Sequence, residues 1–430
     1  MTKQFSVSDV GASLSAQSGI GELMEDLGRC LSGPDRGFMK MLGGGNPAAI
    51  PAVQEVFRRR LTEIVADAPQ CDRMLVNYDG PAGSPVFREI VAEAFGRSLG
   101  WKLTAANVGI TAGGQAAFFQ LFALFCGVNA SGARRILLPL LPEYIGYADQ
   151  GLMPESFVAC LPQIEPHGEH EFKYRVDFSR LEHVQEIGAI AVSRPTNPSG
   201  NVLTDAEVAH LREFARSRHV PLIIDNAYGQ PFPGAIFTDA ALPMWDDDLV
   251  MVFSLSKVGL PGCRTAIVIA HPEIVDRLAR MTAVIGLANN NIGQAIAGPL
   301  LASGELLRLS RETIRPFYAR RSQLAKEIVQ TEFANRFPYK MHANEGAFFL
   351  WLWFPQLPIS TRELYQRLKK LGVLIVPGEY FFFGLPADDR WPHRQQCIRI
   401  TFSQPEEVVR EGLRTMANEL ANLHSATNLA

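Results

Sequence analysis

The sequence predicts an α/β protein built on a mainly parallel sheet, and three observations carry that expectation. Apolar runs at Ile136–Leu141, Ala189–Val192, Pro221–Ile224, Leu249–Phe253 and Ala266–Ile269 are continuous rather than alternating, as in strands buried on both faces. Segments of helical periodicity with charged faces, such as Thr204–Arg218, separate these runs. A length of 430 residues, 47% apolar and 20% charged, gives enough material for a large core and two or three domains.

From the N-terminus, Met1–Cys30 mixes Ser, Gly and acids without a basic region leading into an apolar one, so no secretory signal is read. Gly43-Gly44-Gly45-Asn46-Pro47-Ala48 formally fits G-x-G-x-x-A. Pro47 and the weak strand before it argue against a dinucleotide site, which leaves a turn or a backbone approach to a ligand. Ala116–Val128 is the most apolar stretch, interrupted by Gln120. It is shorter than the roughly 20 residues a bilayer needs and reads as a buried helix. Asn129-Ala130-Ser131 has the glycosylation pattern, without a secretory context to make it meaningful. Past about residue 305 the texture changes. A long helix is expected over Leu306–Ile328, then Gly346–Phe354, Tyr365–Leu371, Val373–Val376 and Cys397–Phe402, and a closing helix over Glu406–His424. The expected division is 1–55 packing with a small α+β domain, 56–305 as the large domain and 306–430 as the small one.

Charge and cysteine usage narrow the function classes. Lys and Arg total 41 against 44 Asp and Glu, a net charge of −3, which exerts no global pull on nucleic acid or an acidic membrane. Cys30, Cys71, Cys126, Cys160, Cys263 and Cys397 form no C-x-x-C pair, so neither a disulfide framework nor a zinc site is expected. The nine histidines lack ligand spacing, and no metal is assigned. A reducing cytoplasm is the expected compartment.

Chemistry concentrates where strands end, the place ligands occupy in open α/β sheets. Ser254-Leu255-Ser256-Lys257 follows Leu249–Phe253 and leads into Gly259, Pro261, Gly262 and Arg264. A lysine desolvated in such a turn has a lowered pKa and a neutral amine that attacks aldehydes. Asp225-Asn226-Ala227-Tyr228 closes the preceding strand. Asp225 suits either pairing with a protonated ring nitrogen or capping its own turn, and Tyr228 suits either donation to a phenolate oxygen or packing. In Arg194-Pro195-Thr196-Asn197-Pro198-Ser199-Gly200-Asn201, two prolines hold Asn197 extended with its amide free for a ligand oxygen. Thr111-Ala112-Gly113-Gly114-Gln115 opens the apolar helix, and its free N–H groups form an anion receptor. With no Lys-Ser/Thr after it, the motif is not a nucleotide P-loop.

A lysine amine, a carboxylate for a ring nitrogen, Tyr and Asn for a ring oxygen and an anion-binding helix start are together the contacts pyridoxal 5′-phosphate (PLP) requires. Over nearly its full length the chain resembles the fold-type I, class I/II aminotransferases. Within them it is similar to the valine–pyruvate group, through LGGGNPA (42–48), NYDGPAG (77–83), PEYIGYAD (142–149), SRPTNPSGNV (193–202), IDNAYGQPFPGAIF (224–237), SLSKVGLPGCR (254–264) and Gly346–Phe354. The resemblance implies a seven-stranded, mainly parallel sheet sandwiched by helices, a smaller α+β domain, and a homodimer with shared active sites. It implies that Lys257 carries the cofactor, Asp225 pairs with the pyridine nitrogen, Asn197 and Tyr228 bond the ring oxygen, and Tyr144 stacks on the ring. Gly114, Gln115, Ser254 and Arg264 match the phosphate cup, and Tyr78 matches a tyrosine reaching the neighbouring subunit's phosphate. Arg399 matches the clamp on the substrate α-carboxylate, and Gly45 lies against the substrate through its backbone. Gly114 departs from relatives that place a hydroxyl residue there, so one side-chain phosphate contact is expected to be missing.

The implied reaction moves an amino group between a small neutral aliphatic amino acid, valine or alanine, and a 2-oxo acid, pyruvate or 2-oxoisovalerate. Ile285–Ile292, where related aspartate enzymes place a second cation, has no Lys or Arg. A lyase on the same fold stays open, because the outcome depends on which Cα bond stands perpendicular to the ring. A PLP-sensing regulator would carry a DNA-binding module, for which the residues before the body are too few and not basic.

Overall fold

The computed structural model describes residues 6–32, 37–130, 132–239, 241–386 and 389–428. Ser131, the third residue of the glycosylation pattern, lies outside them. Every strand expected from a continuous apolar run forms. The main sheet runs in the order Val108–Thr111, Ala266–Ile269, Leu249–Ser254, Leu222–Asp225, Ile187–Ser193 and Gly132–Leu138. The outer edge of Gly132–Leu138 is shared between Phe157–Ala159, parallel to its second half, and Gly127–Asn129, which hairpins onto its first half. That short hairpin strand makes eight where seven were expected. It exists because Gly127, at φ +143°, breaks the apolar helix, which ends at Phe125 rather than Val128.

All the pairings from Leu249–Ser254 outward to Phe157–Ala159 are parallel. Ala266–Ile269 alone runs antiparallel to both its neighbours. The consequence is local and functional. Parallel strands deliver the residues after their last positions to one edge, while Ala266–Ile269 delivers the residue before its first. Arg264 therefore arrives beside Ser254, Asp225 and Asn197. The apolar composition that pairs these strands also buries them, since nearly every residue from Leu249 to Ser254 and from Ala266 to Ile269 is inaccessible to solvent.

A second, six-stranded sheet has the order Val376–Pro377, Cys397–Thr401, Phe349–Trp353, Lys340–His342, Glu171–Arg175 and Gln163–His167. Its last two strands are a hairpin from the middle of the chain. The N-terminal segment joins the same body: Lys40–Met41 pairs with Val373–Leu374, and the Thr401 N–H donates to the Leu42 carbonyl at 2.7 Å. The long helix expected over Leu306–Ile328 is broken. Glu305–Leu309 passes through a π turn at Ser310–Ile314 before Arg315–Phe333 continues. Pro316, which has no N–H to donate one turn back, accounts for the change of register. The closing helix spans Glu406–Asn428.

Candidate active site

The carboxyl edge of the main sheet opens into a cavity of about 630 Å³. Gly114, Gln115, Tyr144, Asn197, Asp225, Tyr228, Ser254, Lys257 and Arg264, all singled out from sequence, line it together with Phe118, Tyr147, Ser193, Ala227 and Ser256. They come from the ends of six strands, so the sheet's register sets the spacing between them.

Lys257 is half-buried among these groups. Its Nζ donates to the Gly45 carbonyl at 3.0 Å and sits 5.2 Å from the centre of the Tyr228 ring. Burial lowers its pKa to about 8, helped by the charge of Arg399 and opposed by Asp225. About a fifth of the amine is thus neutral at about pH 7.4, far more than for a lysine in solvent, as a nucleophile or base requires. Asp225 accepts from the Tyr147 hydroxyl at 2.5 Å and from the Ala227 N–H at 2.9 Å. Burial raises its pKa, while these two bonds and Lys257 favour the anion. A cation seated against this carboxyl would favour the carboxylate.

Arg399 lies outside the cavity lining but is coupled to it. It is 1% exposed, donates to Asn197 Oδ1 at 2.8 Å and to the Gly43 carbonyl at 2.7 Å, and rests 4.2 Å from the centre of the Phe349 ring. Burial lowers even this guanidinium to about 10, and its Nε has no partner. A buried cation held by neutral carbonyls and an aromatic face, without a carboxylate on it, lacks a counter-ion, and an anionic ligand would supply one.

At the helix start Gly114–Phe125, the capping residue Gly113 has φ +92° and offers no side-chain acceptor. A Cβ there would fall 2.4 Å from Arg264 Nη2, so glycine is required for arginine and helix terminus to share one space. At Gly114 a Cβ would meet nothing within 4 Å. The Gln115 side chain is turned away onto the Gly146 carbonyl at 2.6 Å, leaving the first-turn N–H groups pointing into the cavity.

Tyr78 stands apart, 85% exposed and not among the cavity residues. Tyr147 and Ser256 were missed from sequence. The spacing Tyr144-x-x-Tyr147 after a strand was the available signal, since it turns both rings to one side of a short 3-10 turn, Ile145–Tyr147.

The chain belongs to the class I and II aminotransferases, whose family model matches residues 53–416. Members of this family work with PLP. It is 46% identical to the valine–pyruvate aminotransferase of Escherichia coli (strain K12) over 412 residues, 95% of this chain and 97% of that one. The crystal structure of valine–pyruvate aminotransferase from Salmonella typhimurium LT2 superposes with a TM-score of 0.85 at 43% identity, covering 94% of this chain and 99% of that one. A Psychrobacter arcticum 273-4 structure assigned as an amino-acid aminotransferase gives a TM-score of 0.94 at 42% identity, covering 98% and 100%.

The donor set fits the cofactor. The open space over Gly114, the uncapped helix start and Arg264 suit a phosphate, Asp225 suits a pyridinium nitrogen, and Lys257 suits an aldehyde carbon. Among the described residues no helix is long and apolar enough to cross a membrane.

Proposed function

We propose that the protein transfers the amino group between a small neutral aliphatic amino acid, valine or alanine, and pyruvate or 2-oxoisovalerate. The observation carrying this reading is the distribution of cations around the cavity. Among the described residues around the cavity, Arg264 is committed to the helix start and Lys257 to the reacting centre, which leaves Arg399 for one carboxylate and no cation for a second. Asn289, Asn290 and Asn291 spend their amides on the carbonyls of Ile110, Arg264 and Asn77 at 2.7, 3.0 and 2.8 Å. A substrate side-chain carboxylate would be buried there unpaired. The names and identities of the valine–pyruvate relatives support the same substrate class.

When bound, PLP supplies an aldehyde for the substrate amine and a protonated ring that accepts electrons from Cα. Asp225 holds the proton on the ring nitrogen, and Tyr147 and the Ala227 N–H keep that carboxylate oriented. Asn197 and Tyr228 would hold the ring oxygen, and Tyr144 would support the ring from the cavity wall. Lys257 Nζ, neutral and next to the Gly45 carbonyl, would take the proton from the substrate Cα. Arg399, fixed by Asn197 and Gly43, holds the substrate carboxylate so that the Cα–H bond faces the lysine.

The assembly belongs to this reading. Leu75, Val76, Val284, Ile285 and Leu287 are exposed around Tyr78, and Asn291 ties the two segments through Asn77. An apolar face of this kind suits a second copy, giving a homodimer in which Tyr78 reaches its partner's phosphate. No disulfide joins the cysteines of the described residues, which suits a reducing cytoplasm.

The test is kcat/KM for valine, alanine, leucine, phenylalanine and aspartate with one oxo-acid acceptor. Valine and alanine should lead, and their ratio reads how the pocket values the two carbons between them, each worth about 1–3 kcal/mol. Aspartate should fall about a hundredfold or more below them. A clear preference for aspartate or phenylalanine would refute the pocket reading and leave the family untouched.

A further inference from the structure

Behind the cavity wall lies a buried carboxyl that the chemistry above does not use. Glu143 is 1% exposed and immediately precedes Tyr144. Its Oε1 accepts from the Ser193 N–H at 2.8 Å. Its Oε2 accepts from the Ser193 hydroxyl at 2.5 Å and from the Tyr144 N–H at 3.2 Å. Its own N–H donates to the Phe381 carbonyl at 3.0 Å. The Phe381 ring in turn lies 5.4 Å from the guanidinium of Arg399. Ser193 and Tyr144 are cavity wall. Phe381 belongs to the segment following Val376–Pro377, the edge of the second sheet.

One residue therefore spans the ring-facing tyrosine, the end of a central strand and the aromatic support of the carboxylate clamp. Burying a carboxyl is costly unless its bonds are specific, and an apolar side chain would fill the same volume more cheaply. Burial raises the pKa of Glu143 to about 8, with the Ser193 and Tyr144 bonds pulling the other way and the charge of Asp225 adding to the rise. Near neutral pH the group is largely uncharged and does not compete with Asp225 for the ring's proton.

We propose that Glu143 is a positioning residue for amino-group transfer: its carboxyl pins the 143–144 main chain to Ser193, and that pinned main chain seats Tyr144 and, through its N–H on Phe381, Arg399, so that losing the carboxyl releases both. The proposal rests on the site reading given above, and Glu143 itself touches no reacting atom. Its loss should shift two things together. Tyr144 would move against the cofactor ring, and the clamp would bind every substrate carboxylate less well, raising KM for amino acid and oxo acid alike more than it lowers kcat.

Glu143→Ala and Glu143→Gln holoenzymes should be compared with wild type by steady-state kinetics, visible circular dichroism of the bound cofactor and thermal unfolding of the apo-proteins. Glu143→Ala should lose about a hundredfold in kcat/KM, as expected for a displaced site group, with a weakened visible dichroic band. Glu143→Gln keeps a partner for Ser193 and puts an amide nitrogen where Tyr144 needs an acceptor. It should fold like wild type, raise both KM values about tenfold and alter the same band. A Glu143→Ala protein whose melting temperature falls while KM and dichroism stay fixed would show a merely structural residue and overturn the proposal. If Glu143→Ala does not fold, an unchanged KM and band in Glu143→Gln overturns it. Failure of the underlying site reading looks different: Lys257→Ala would keep a covalently attached cofactor.

Discussion

The floor of the cavity and the face that carries Tyr78 are assigned to the same cofactor, yet they are built in opposite ways. At the floor, Asn197, Tyr228, Ser254 and Ser256 are all buried at the ends of buried strands, and each is held by neighbours in sequence or in the sheet. Around Tyr78, Val284 is 88% exposed, and Val76 and Leu287 also stand in solvent. The floor is preorganised within one chain, so its electrostatics cost no rearrangement when charge develops. The outer face has nothing of this chain to hold it. On the reading proposed above, a single subunit supplies the lysine, the carboxylate and the clamp, and Tyr78 of a second copy would complete the phosphate site.

If the floor carries the chemistry by itself, damage there should be severe and strictly local. Lys257→Ala should abolish transamination and any borohydride-fixable PLP adduct, and an adduct surviving on another lysine would move the site elsewhere. Asp225→Asn should keep the fold, because the amide oxygen can still accept from the Ala227 N–H while the amide nitrogen donates to the Tyr147 hydroxyl oxygen. It should still cost about 10²-fold or more in kcat, since an amide cannot oppose a pyridinium charge. Near-normal turnover would show that the ring nitrogen is held by something else.

The outer face is broken by mixing subunits. Tyr78→Phe and Lys257→Ala chains, each inactive alone, should regain activity when co-refolded. In a two-fold dimer the mixed species carries one intact site, so random pairing restores up to about a quarter of wild-type activity. Strictly additive activities, with no gain on mixing, would place Tyr78 outside its partner's site.

The two regions also differ in how far they could be read from sequence. The floor was legible because continuous apolar runs mark buried parallel strands, and Asn197, Asp225 and Lys257 follow such runs directly. Tyr147 was not, because an aromatic residue in a turn looks like core packing until its hydroxyl is seen on Asp225. Glu143 was hidden for the same reason: its partner Ser193 lies on another strand. The hairpin Gln163–Arg175 joins a sheet whose other strands lie well over a hundred residues later, a pairing that no local pattern encodes. The break at Ser310–Ile314 was visible in Pro316, against an apolar periodicity that runs on through it.

The mildest test asks whether burial alone tunes the floor, and it reads the charge on Lys257. Uptake of PLP by the apo-protein requires a neutral Nζ, so its rate follows the unprotonated fraction. With a pKa lowered from 10.5 to about 8, the rate should climb about tenfold per pH unit below that value and level off above it. A lysine in solvent would keep climbing toward 10.5. The sign extends to stability. Between about 8 and 10.5 the unfolded chain binds more protons at this residue than the folded one, so raising pH through that window relieves the cost of burying it. Asp225 provides the internal control. Its carboxylate holds the lysine pKa up against burial and Arg399, so Asp225→Asn should move the plateau to lower pH, opposite to what loss of a general base would give. Stopped-flow absorbance of aldehyde uptake across this range, for wild type and Asp225→Asn, decides the matter. A wild-type rate still rising at about pH 10 would mean that the amine behaves like an exposed lysine, and that burial does not set the chemistry of the cavity floor.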